Sequence, residues 1–547
     1  MKKSFKSLSA ALIGLAAVAC SSPEKMAEMA ENVSVQCDPA VLEVVAGKVN
    51  ATVTVTYPAD YFHPKAILEV TPVLVYEGGE AKMEPFVYQG EKVVDNYKVV
   101  PSEGSTVSEK VSFDYVPGME KSYLELRSVV KYKNKSAEFP TRKVADGANT
   151  TYMLVNKSGT VDYKADNYQE IIKQTAEGQI LYTINSSVVR SSQLKSESIK
   201  DFQAAIDEIK ANERKEIVST DIVAYASPDG GEELNAKLSG KRSETAETAF
   251  GKVTKGHEVD APVNVKSIGQ DWEGFKELVA QSDLEDKDLI IRVLSMYSDP
   301  AVREKEIKNM SAVYTTLAKE ILPELRRARF IANVEFTNYS NEELLNLIEE
   351  NIDVLDEEAL LRAASVAKSN DTKVAVYKKA IEKFNSARAQ YNLAVAYLNS
   401  DKLADAKAAL AKVSEKDADY QNAMGVVALR EGNYAEAAKC FNASGNATSK
   451  ENLAVLDILN GKYADAAAKL ANSKCCYNKT LAYILAGQLD KASASATCAS
   501  PEVAYLKAVI AARQGNADAV KANLKEAGKD DKLAERAAKD IEFAQYR

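Results

Sequence analysis

Residues 224–242, AYASPDGGEELNAKLSGKR, place a short glycine-containing loop directly before a predicted helix start. The loop carries Ser227 and Asp229, and Arg242 follows on the helix. N–H groups at a helix start bind anions, and a guanidinium group pairs with a carboxylate through two parallel hydrogen bonds. These residue types at this spacing predict a site for a small anionic group.

A structural interpretation of the same residues stays open. Arg242 would then hold the loop through backbone carbonyls or through Asp229, and Asn235 would cap the helix. Neither role needs a ligand.

Other chemistry has little support in the sequence. His63 and His257 are the only histidines, and neither has a cysteine or a second histidine at metal-ligand spacing. The G-x-S-x-G motif of a nucleophilic serine and the Gly-Lys-Ser/Thr end of a phosphate-binding loop are both missing. We therefore expect no catalytic residue, no metal site, no cofactor and no enzymatic activity. The net charge of −9 argues against nucleic acid as a partner.

The N-terminal residues predict export. A basic start and a short apolar run predict a signal peptide over residues 1–19, ending in small residues directly before Cys20. This arrangement resembles the lipobox of bacterial lipoproteins, which implies a lipidated Cys20 and anchoring to the outer membrane. An ordinary signal peptide, with Cys20 incidental, is the alternative. Residues 20–33 are predicted to form a tether.

Residues 34–153 are predicted to form a β-sandwich. Residues 49–56 alternate apolar and polar side chains, and three more β-rich runs follow at 66–76, 111–115 and 123–132. The stretches PADYFHPKAILEVTPVLVYEGGE and GEKVVDNYKV resemble the N-terminal β-domain of a group of Bacteroidetes envelope proteins.

Residues 165–338 mix helical and strand periods and are predicted to form an α/β sandwich. In chain order the predicted elements are a strand at 179–184, a helix at 198–211, a strand at 217–224, a helix at 235–253 and a strand at 330–336.

This order resembles the OmpA C-terminal domain, a module that binds peptidoglycan. The family motif N-x-x-L-S-x-x-R is matched by Asn235, Leu238, Ser239 and Arg242. The resemblance implies that the arginine, together with an aspartate fifteen residues before it, holds the carboxylate and amine of diaminopimelate. Ser227 occupies that aspartate position in this chain.

Without the aspartate, the ammonium group of the ligand loses its counter-charge, which weakens binding roughly tenfold or more. Asp229 is the candidate replacement, because it lies two residues further along the loop. Residues 256–323 exceed what the family core needs, and they would cover the site or form a surface of their own. We favour a retained fold with weak or lost diaminopimelate binding over a working peptidoglycan site.

Residues 340–547 are alanine-rich, helical and repetitive. Turn glycines at 432, 461, 487 and 515 are separated by 29, 26 and 28 residues. These units resemble tetratricopeptide (TPR) repeats, although they are shorter than the usual period of about 34 residues. The resemblance implies an all-α solenoid that presents a concave surface to protein partners. A plain helical bundle is the alternative.

The cysteines do not form a regular framework. Beyond Cys20 there are five, at positions 37, 440, 475, 476 and 498. One disulfide among the last four stays open, but small buried apolar side chains are the favoured role.

Together these features predict a multidomain, non-catalytic scaffold of the cell envelope. The OmpA-like domain would contact peptidoglycan, and the repeats would bind protein partners. The alternative is an accessory factor for a surface structure, such as fimbriae or a secretion or nutrient-uptake machine, whose OmpA-like domain no longer binds peptidoglycan. The periplasmic face of the outer membrane is favoured over the cell surface, because the acidic residues after Cys20 are scattered rather than consecutive.

Overall fold

The computed structural model describes residues 23–257, 259–309, 311–474 and 476–547. The predicted signal peptide and Cys20 lie outside the described residues. The chain forms two compact units. The first joins the chain up to Lys164 with Ser386–Arg547, and the second is Ala165–Asn385.

The N-terminal part of the first unit is rich in β-structure, as predicted. Its elements are α1 (Pro23–Glu28), β1 (Ser34–Val45), β2 (Lys48–Tyr57), β3 (Ile67–Tyr76), β4 (Gly79–Lys82), β5 (Phe86–Gly90), β6 (Lys98–Val100), β7 (Ser105–Asp114), β8 (Ser122–Tyr132), β9 (Lys135–Glu138) and β10 (Arg142–Asn149). The main strand order is β6-β5-β3-β8-β10-β1-β2-β7.

This sheet folds over so that its two ends meet. The hydroxyl group of Tyr88 on β5 donates to Glu109 on β7 over 3.2 Å. Alternate side chains of β2 are buried, which is the pattern of a strand with one face in a core. Val55 on β2 lines the same apolar cavity as Leu68 on β3, although the two strands do not pair.

The second unit begins with an α/β arrangement. It contains β11 (Ile171–Leu181), α2 (Glu197–Ala211), β12 (Lys215–Ala226), α3 (Glu232–Val253), β13 (Val263–Gln270) and β14 (Arg327–Thr337), in the sheet order β11-β14-β12-β13. The two predicted helices and the strands predicted at 217–224 and 330–336 are confirmed, whereas the strand predicted at 179–184 coincides with β11 only at 179–181. Their apolar faces share one core, in which Phe202 of α2, Phe250 of α3 and Phe330 of β14 contact one another.

The described part of the second unit contains seven further helices. They are α4 (Trp272–Gln281), α5 (Lys287–Met296), α6 (Pro300–Asn309), α7 (Ser311–Glu320), α8 (Asn341–Glu350), α9 (Glu357–Val366) and α10 (Asn370–Phe384). The helices α4 to α7 lie between β13 and β14 and bury a separate apolar core around Phe275, Leu294 and Leu317.

The C-terminal part of the first unit is helical, as predicted. Its helices are α11 (Ala387–Asn399), α12 (Leu403–Leu410), α13 (Ala418–Arg430), α14 (Tyr434–Ser444), α15 (Ala447–Leu459), α16 (Tyr463–Leu470), α17 (Cys476–Leu485), α18 (Leu489–Ser495), α19 (Pro501–Arg513), α20 (Ala517–Ala527) and α21 (Asp531–Lys539). From α11 to α20 they form successive hairpins, each with a longer first helix. The turns of the last four hairpins contain glycines with φ between 71° and 78°.

A disulfide joins Cys476, at the start of α17, to Cys498, before α19. The favoured expectation of unbridged cysteines was therefore wrong for this pair, because the helical packing brings two residues 22 positions apart to a Cα–Cα distance of 6.4 Å. Cys440 is buried and unbridged among the described residues.

The sheet and the helical array of the first unit are joined near the C-terminus. Glu542 accepts hydrogen bonds from Asn149 and Thr151, at 2.8 and 3.0 Å. Arg513 at the end of α19 donates to the same carboxylate over 3.0 Å. The described residues up to Lys164 and the segment Ser386–Arg547 thus form one folded body.

Candidate functional site

Arg242, the basic residue of the predicted anion site, is fully buried. Its guanidinium group donates to three backbone carbonyls: to Ser186 over 3.0 Å, to Tyr225 over 2.8 Å and to Thr183 over 3.2 Å. Burial of the guanidinium group lowers the pKa of Arg242 to about 10. Each of its three nitrogen atoms is already engaged inside the protein.

The acidic side of the site is also engaged. Ser227 donates a hydrogen bond to Asp229. Arg326 forms an ion pair with the same carboxylate at 3.3 Å and also contacts the hydroxyl group of Ser227 at 3.3 Å. Lys308 donates to the backbone carbonyl of Asp229 over 3.0 Å. Asp229 therefore has a partner within the chain.

Asn235 closes the loop rather than capping the helix. Its buried amide donates to the carbonyls of Ser227 and Gly230, at 3.0 and 2.8 Å. The N-cap position is Gly231. Leu238 is half-buried, and Ser239 accepts from the backbone N–H of Gly269 over 3.1 Å.

The helices between β13 and β14 pack against this loop. Pro228 and Asp229 line one pocket together with Phe275, Lys308 and Leu322. The structure thus brings the five predicted residues into one loop-and-helix region, in which chain atoms already contact the polar groups of four of them.

A second arrangement lies in the first unit, where residues 154–164 run along the helical array. We call these residues the strap. The strap contacts four asparagines, which we call the asparagine ladder: Asn392, Asn422, Asn452 and Asn478. They occupy equivalent positions on α11, α13, α15 and α17, nine or ten residues before the left-handed residue of each turn.

The ladder binds backbone groups of the strap. Asn478 accepts from the N–H of Asn156 and donates to its carbonyl, both at 2.9 Å. Asn392 holds the N–H and carbonyl of Lys164 in the same way, at 2.8 and 2.9 Å. A side-chain amide thereby imitates the pairing of a neighbouring β-strand.

The two middle asparagines of the ladder bind the same strap residue and each other. Asn452 accepts from the N–H of Thr160 and donates to its carbonyl, both at 2.8 Å. Asn422 donates to the same carbonyl over 3.0 Å and accepts from Asn452 over 2.9 Å. Both asparagines are almost fully buried, so these hydrogen bonds satisfy groups that water does not reach.

Three further side chains donate to other backbone carbonyls of the strap. Tyr477 donates to Leu154 over 2.8 Å, Arg430 to Ser158 over 2.6 Å and Tyr391 to Asp162 over 3.2 Å. Burial raises the pKa of Tyr391, so its hydroxyl group stays protonated as a donor.

Three strap residues also have specific surroundings. Val155 and Val161 are buried. The ammonium group of Lys164 pairs with Asp417 at 2.6 Å and lies 5.4 Å from the centre of the Tyr391 ring. Burial alone would lower the pKa of Lys164, but Asp417 and Glu415 outweigh that effect and raise it.

Gly159 has a φ of +68°. A Cβ atom at this position would lie 2.8 Å from one methyl group of Val426 on α13 and 3.0 Å from the other. The strap therefore requires a glycine here for its backbone conformation and for its close approach to the helix.

The comparisons with known proteins add little to this geometry. The chain matches no protein-family model and no curated protein. Among solved structures, it is similar to a tetratricopeptide repeat protein from Parabacteroides merdae ATCC 43184. The identity is 12% and the TM-score 0.29, over 37% of this chain and 91% of that one.

Neither the asparagine ladder nor the pairing of Arg326 with Asp229 was predicted from the sequence. The ladder had a signal, since asparagines recur at a fixed offset from the turns inside otherwise apolar helices. Arg326 is the residue before β14 and the first of a basic run, Arg326-Arg327-Ala328-Arg329, which gives no sign of its partner.

Two further observations bear on the predictions for metals and membranes. Within the described ranges, no group of three or more metal-ligating side chains is close enough to hold an ion. No helix in that part of the chain is long and apolar enough to cross a membrane.

Proposed function

We propose that this protein is a non-catalytic scaffold of the bacterial cell envelope whose helical array binds protein segments in extended conformation. The observation that supports this proposal is the asparagine ladder, which holds both the N–H and the carbonyl of strap residues on three of its four members. Solenoids of helical repeats present extended concave surfaces that bind partners.

Photo-crosslinking in cells tests the scaffold proposal. A photoreactive amino acid replaces exposed residues of the array, such as Lys439 or Lys491, and exposed residues of the second unit serve as controls. The proposal expects a defined protein adduct at the array positions. No adduct at any array position, or turnover of a substrate by the pure protein, would contradict it.

The envelope location rests on Cys20 and its preceding residues. The disulfide between Cys476 and Cys498 fits an oxidising compartment. We propose lipid anchoring to the outer membrane, facing the periplasm. Cys20→Ser should move the protein from the membrane fraction to the soluble fraction. Protease added to intact cells should leave the wild type uncut, and rapid digestion would place it on the cell surface.

Residues 165–338 of the second unit are proposed to be OmpA-like. Their element order, their sheet order β11-β14-β12-β13 and the N-x-x-L-S-x-x-R motif support this assignment. We propose that the fold is kept without diaminopimelate binding, because each guanidinium nitrogen of Arg242 already donates to a backbone carbonyl and Asp229 is paired with Arg326. This favours the accessory-factor form of the scaffold, in which the unit acts as a spacer.

Sedimentation of the full chain with peptidoglycan sacculi tests that proposal. We expect the wild type to stay in the supernatant, and we expect Ser227→Asp not to restore binding, since Arg326 would neutralise the new carboxylate. Sedimentation of the wild type that free diaminopimelate competes away would contradict the proposal. Because competition by free diaminopimelate tests the site directly, the experiment needs no Arg242 variant.

A further inference from the structure

We propose that the groove along the asparagine ladder is an extended-peptide site which the strap closes in cis. Its ligand is a partner segment with the pattern Val-x-x-x-Gly-x-Val-x-x-Lys, which is the pattern of residues 155–164. This inference rests on the proposed function and specifies both its ligand and its regulation.

The asparagine ladder binds backbone groups of the strap rather than its side chains. Asn478 and Asn452 each pair with the N–H and the carbonyl of a single strap residue. The side chains of Asn156 and Thr160, whose backbones are held, are exposed. A segment from another protein offers the same backbone groups, so these contacts do not depend on the strap being part of this chain.

The surroundings of four strap positions determine which side chains the groove accepts. Val155 and Val161 are buried, so the groove takes apolar side chains there. The positive φ and the close approach of Val426 favour glycine at position 159. The carboxylates of Asp417 and Glu415 select a cation at position 164. These four requirements define the pattern.

The tethered strap regulates access of a partner segment to the groove. The strap is connected to folded structure at both ends, by β10 on one side and by β11 on the other. Tethering gives it an effective concentration of about millimolar or higher, so a free peptide of micromolar affinity competes poorly. The groove therefore opens to a partner only when the strap is released.

The test uses a fluorescent synthetic peptide with the sequence of residues 154–165 and the full chain. Fluorescence anisotropy is measured with wild type, with Gly159→Leu, and with Gly159→Leu combined with Asn422→Ala and Asn452→Ala. Leucine at position 159 prevents the strap from seating, whereas the peptide keeps its glycine. A peptide with leucine at that position is the matched control.

We expect Gly159→Leu to bind the peptide at least about 100-fold more tightly than the wild type, because the competing strap is gone. The asparagine substitutions and the leucine peptide should each abolish that binding. Equal binding by wild type and Gly159→Leu, or binding that ignores the two asparagines, would overturn the proposal. So would the absence of binding by a folded Gly159→Leu protein.

A second variant covers the case in which Gly159→Leu does not fold. Lys164→Glu places a third carboxylate beside Asp417 and Glu415, while the buried valines and the ladder stay intact. This variant should bind the peptide measurably, and more weakly than a variant with a fully released strap. If the folded Lys164→Glu protein binds the peptide no more tightly than the wild type does, the proposal is overturned.

If neither variant folds, hydrogen exchange of the wild type with and without the peptide tests the proposal. Excess peptide should trap the released state and accelerate exchange at Thr160, and unchanged exchange would overturn the proposal. All these outcomes are independent of the crosslinking experiment. A peptide that never binds leaves other faces of the array open to partners, whereas missing adducts contradict the scaffold whatever the peptide does.

Discussion

Asn452 holds Thr160 by both of its backbone groups, at 2.8 Å in each direction, although the two residues are 292 positions apart. This pairing joins the end of the N-terminal β-structure to the third hairpin of the helical array. It also explains how a segment without helix or strand of its own has a defined place in the fold.

Asn452→Ala should destabilise the first unit by about 2 kcal/mol, because the substitution removes both hydrogen bonds to Thr160 and the donor to the amide oxygen of the almost fully buried Asn422. Urea denaturation, followed on the transition of the first unit, measures the loss. The control is Asn460→Ala, an exposed residue just beyond the end of the same helix, whose amide donates to the backbone carbonyl of Leu456. An equal effect of the two substitutions would contradict the ladder.

Gly159→Ala should cost about 1–2 kcal/mol more than Gly432→Ala. Both glycines have positive φ, at +68° and +78°, so both substitutions carry the same backbone strain. Only the Cβ at position 159 would meet Val426, since nothing lies within 4 Å of the one at position 432. Combining Gly159→Ala with Val426→Ala should recover part of the difference in urea denaturation. Equal costs at the two glycines would show that the strap does not pack against α13.

Asp401→Gly should stabilise the first unit by about 0.5–1 kcal/mol. Asp401 has a φ of +56° at the turn position where the following hairpins carry glycine. Its carboxylate is 95% exposed and lies 3.5 Å from Arg430, so its loss costs little. Asp401→Asn, which tolerates the left-handed conformation better than most residues, should fall between the two in thermal unfolding. A decrease in stability on Asp401→Gly would contradict the equivalence of the turns.

The ion pair between Lys164 and Asp417 should show a coupling free energy of about 0.5–1 kcal/mol at pH 7 in a double-mutant cycle of alanine variants. Burial would raise the pKa of Asp417, but its hydrogen bond with Lys164 and the backbone donors lower it overall. A carboxyl group with a lowered pKa stabilises the fold above its unfolded pKa of about 3.9, and loses that contribution as the pH falls. The coupling should therefore decline as the pH falls below about 4, and a coupling that is independent of pH would contradict the pairing.

The strongly periodic elements could be predicted from the sequence. The helix α2 and the strand β2 each have one buried face, so the spacing of apolar residues reveals them. The strand β13 was missed, because it lies at the edge of its sheet and most of its side chains are exposed. An apolar pattern fails where neither face of a strand is buried.

The candidate sites show the same limit. The motif identified Arg242 and Asn235, but the partners of both are backbone carbonyls, which every residue carries. The strap has no helical or strand period, and its contacts lie 228 to 322 positions away in the sequence. Only the folded structure shows that the asparagines and the strap meet.

Residue-resolved hydrogen exchange tests the central claim most directly. If the ladder holds the strap, the amides of Asn156, Thr160 and Lys164 should exchange about as slowly as those of the surrounding helices, although they belong to no helix or strand. The combination of Asn422→Ala and Asn452→Ala should accelerate exchange at Thr160 most strongly. Fast exchange of all three amides in the wild type would show that the strap is not bound, and would contradict the account.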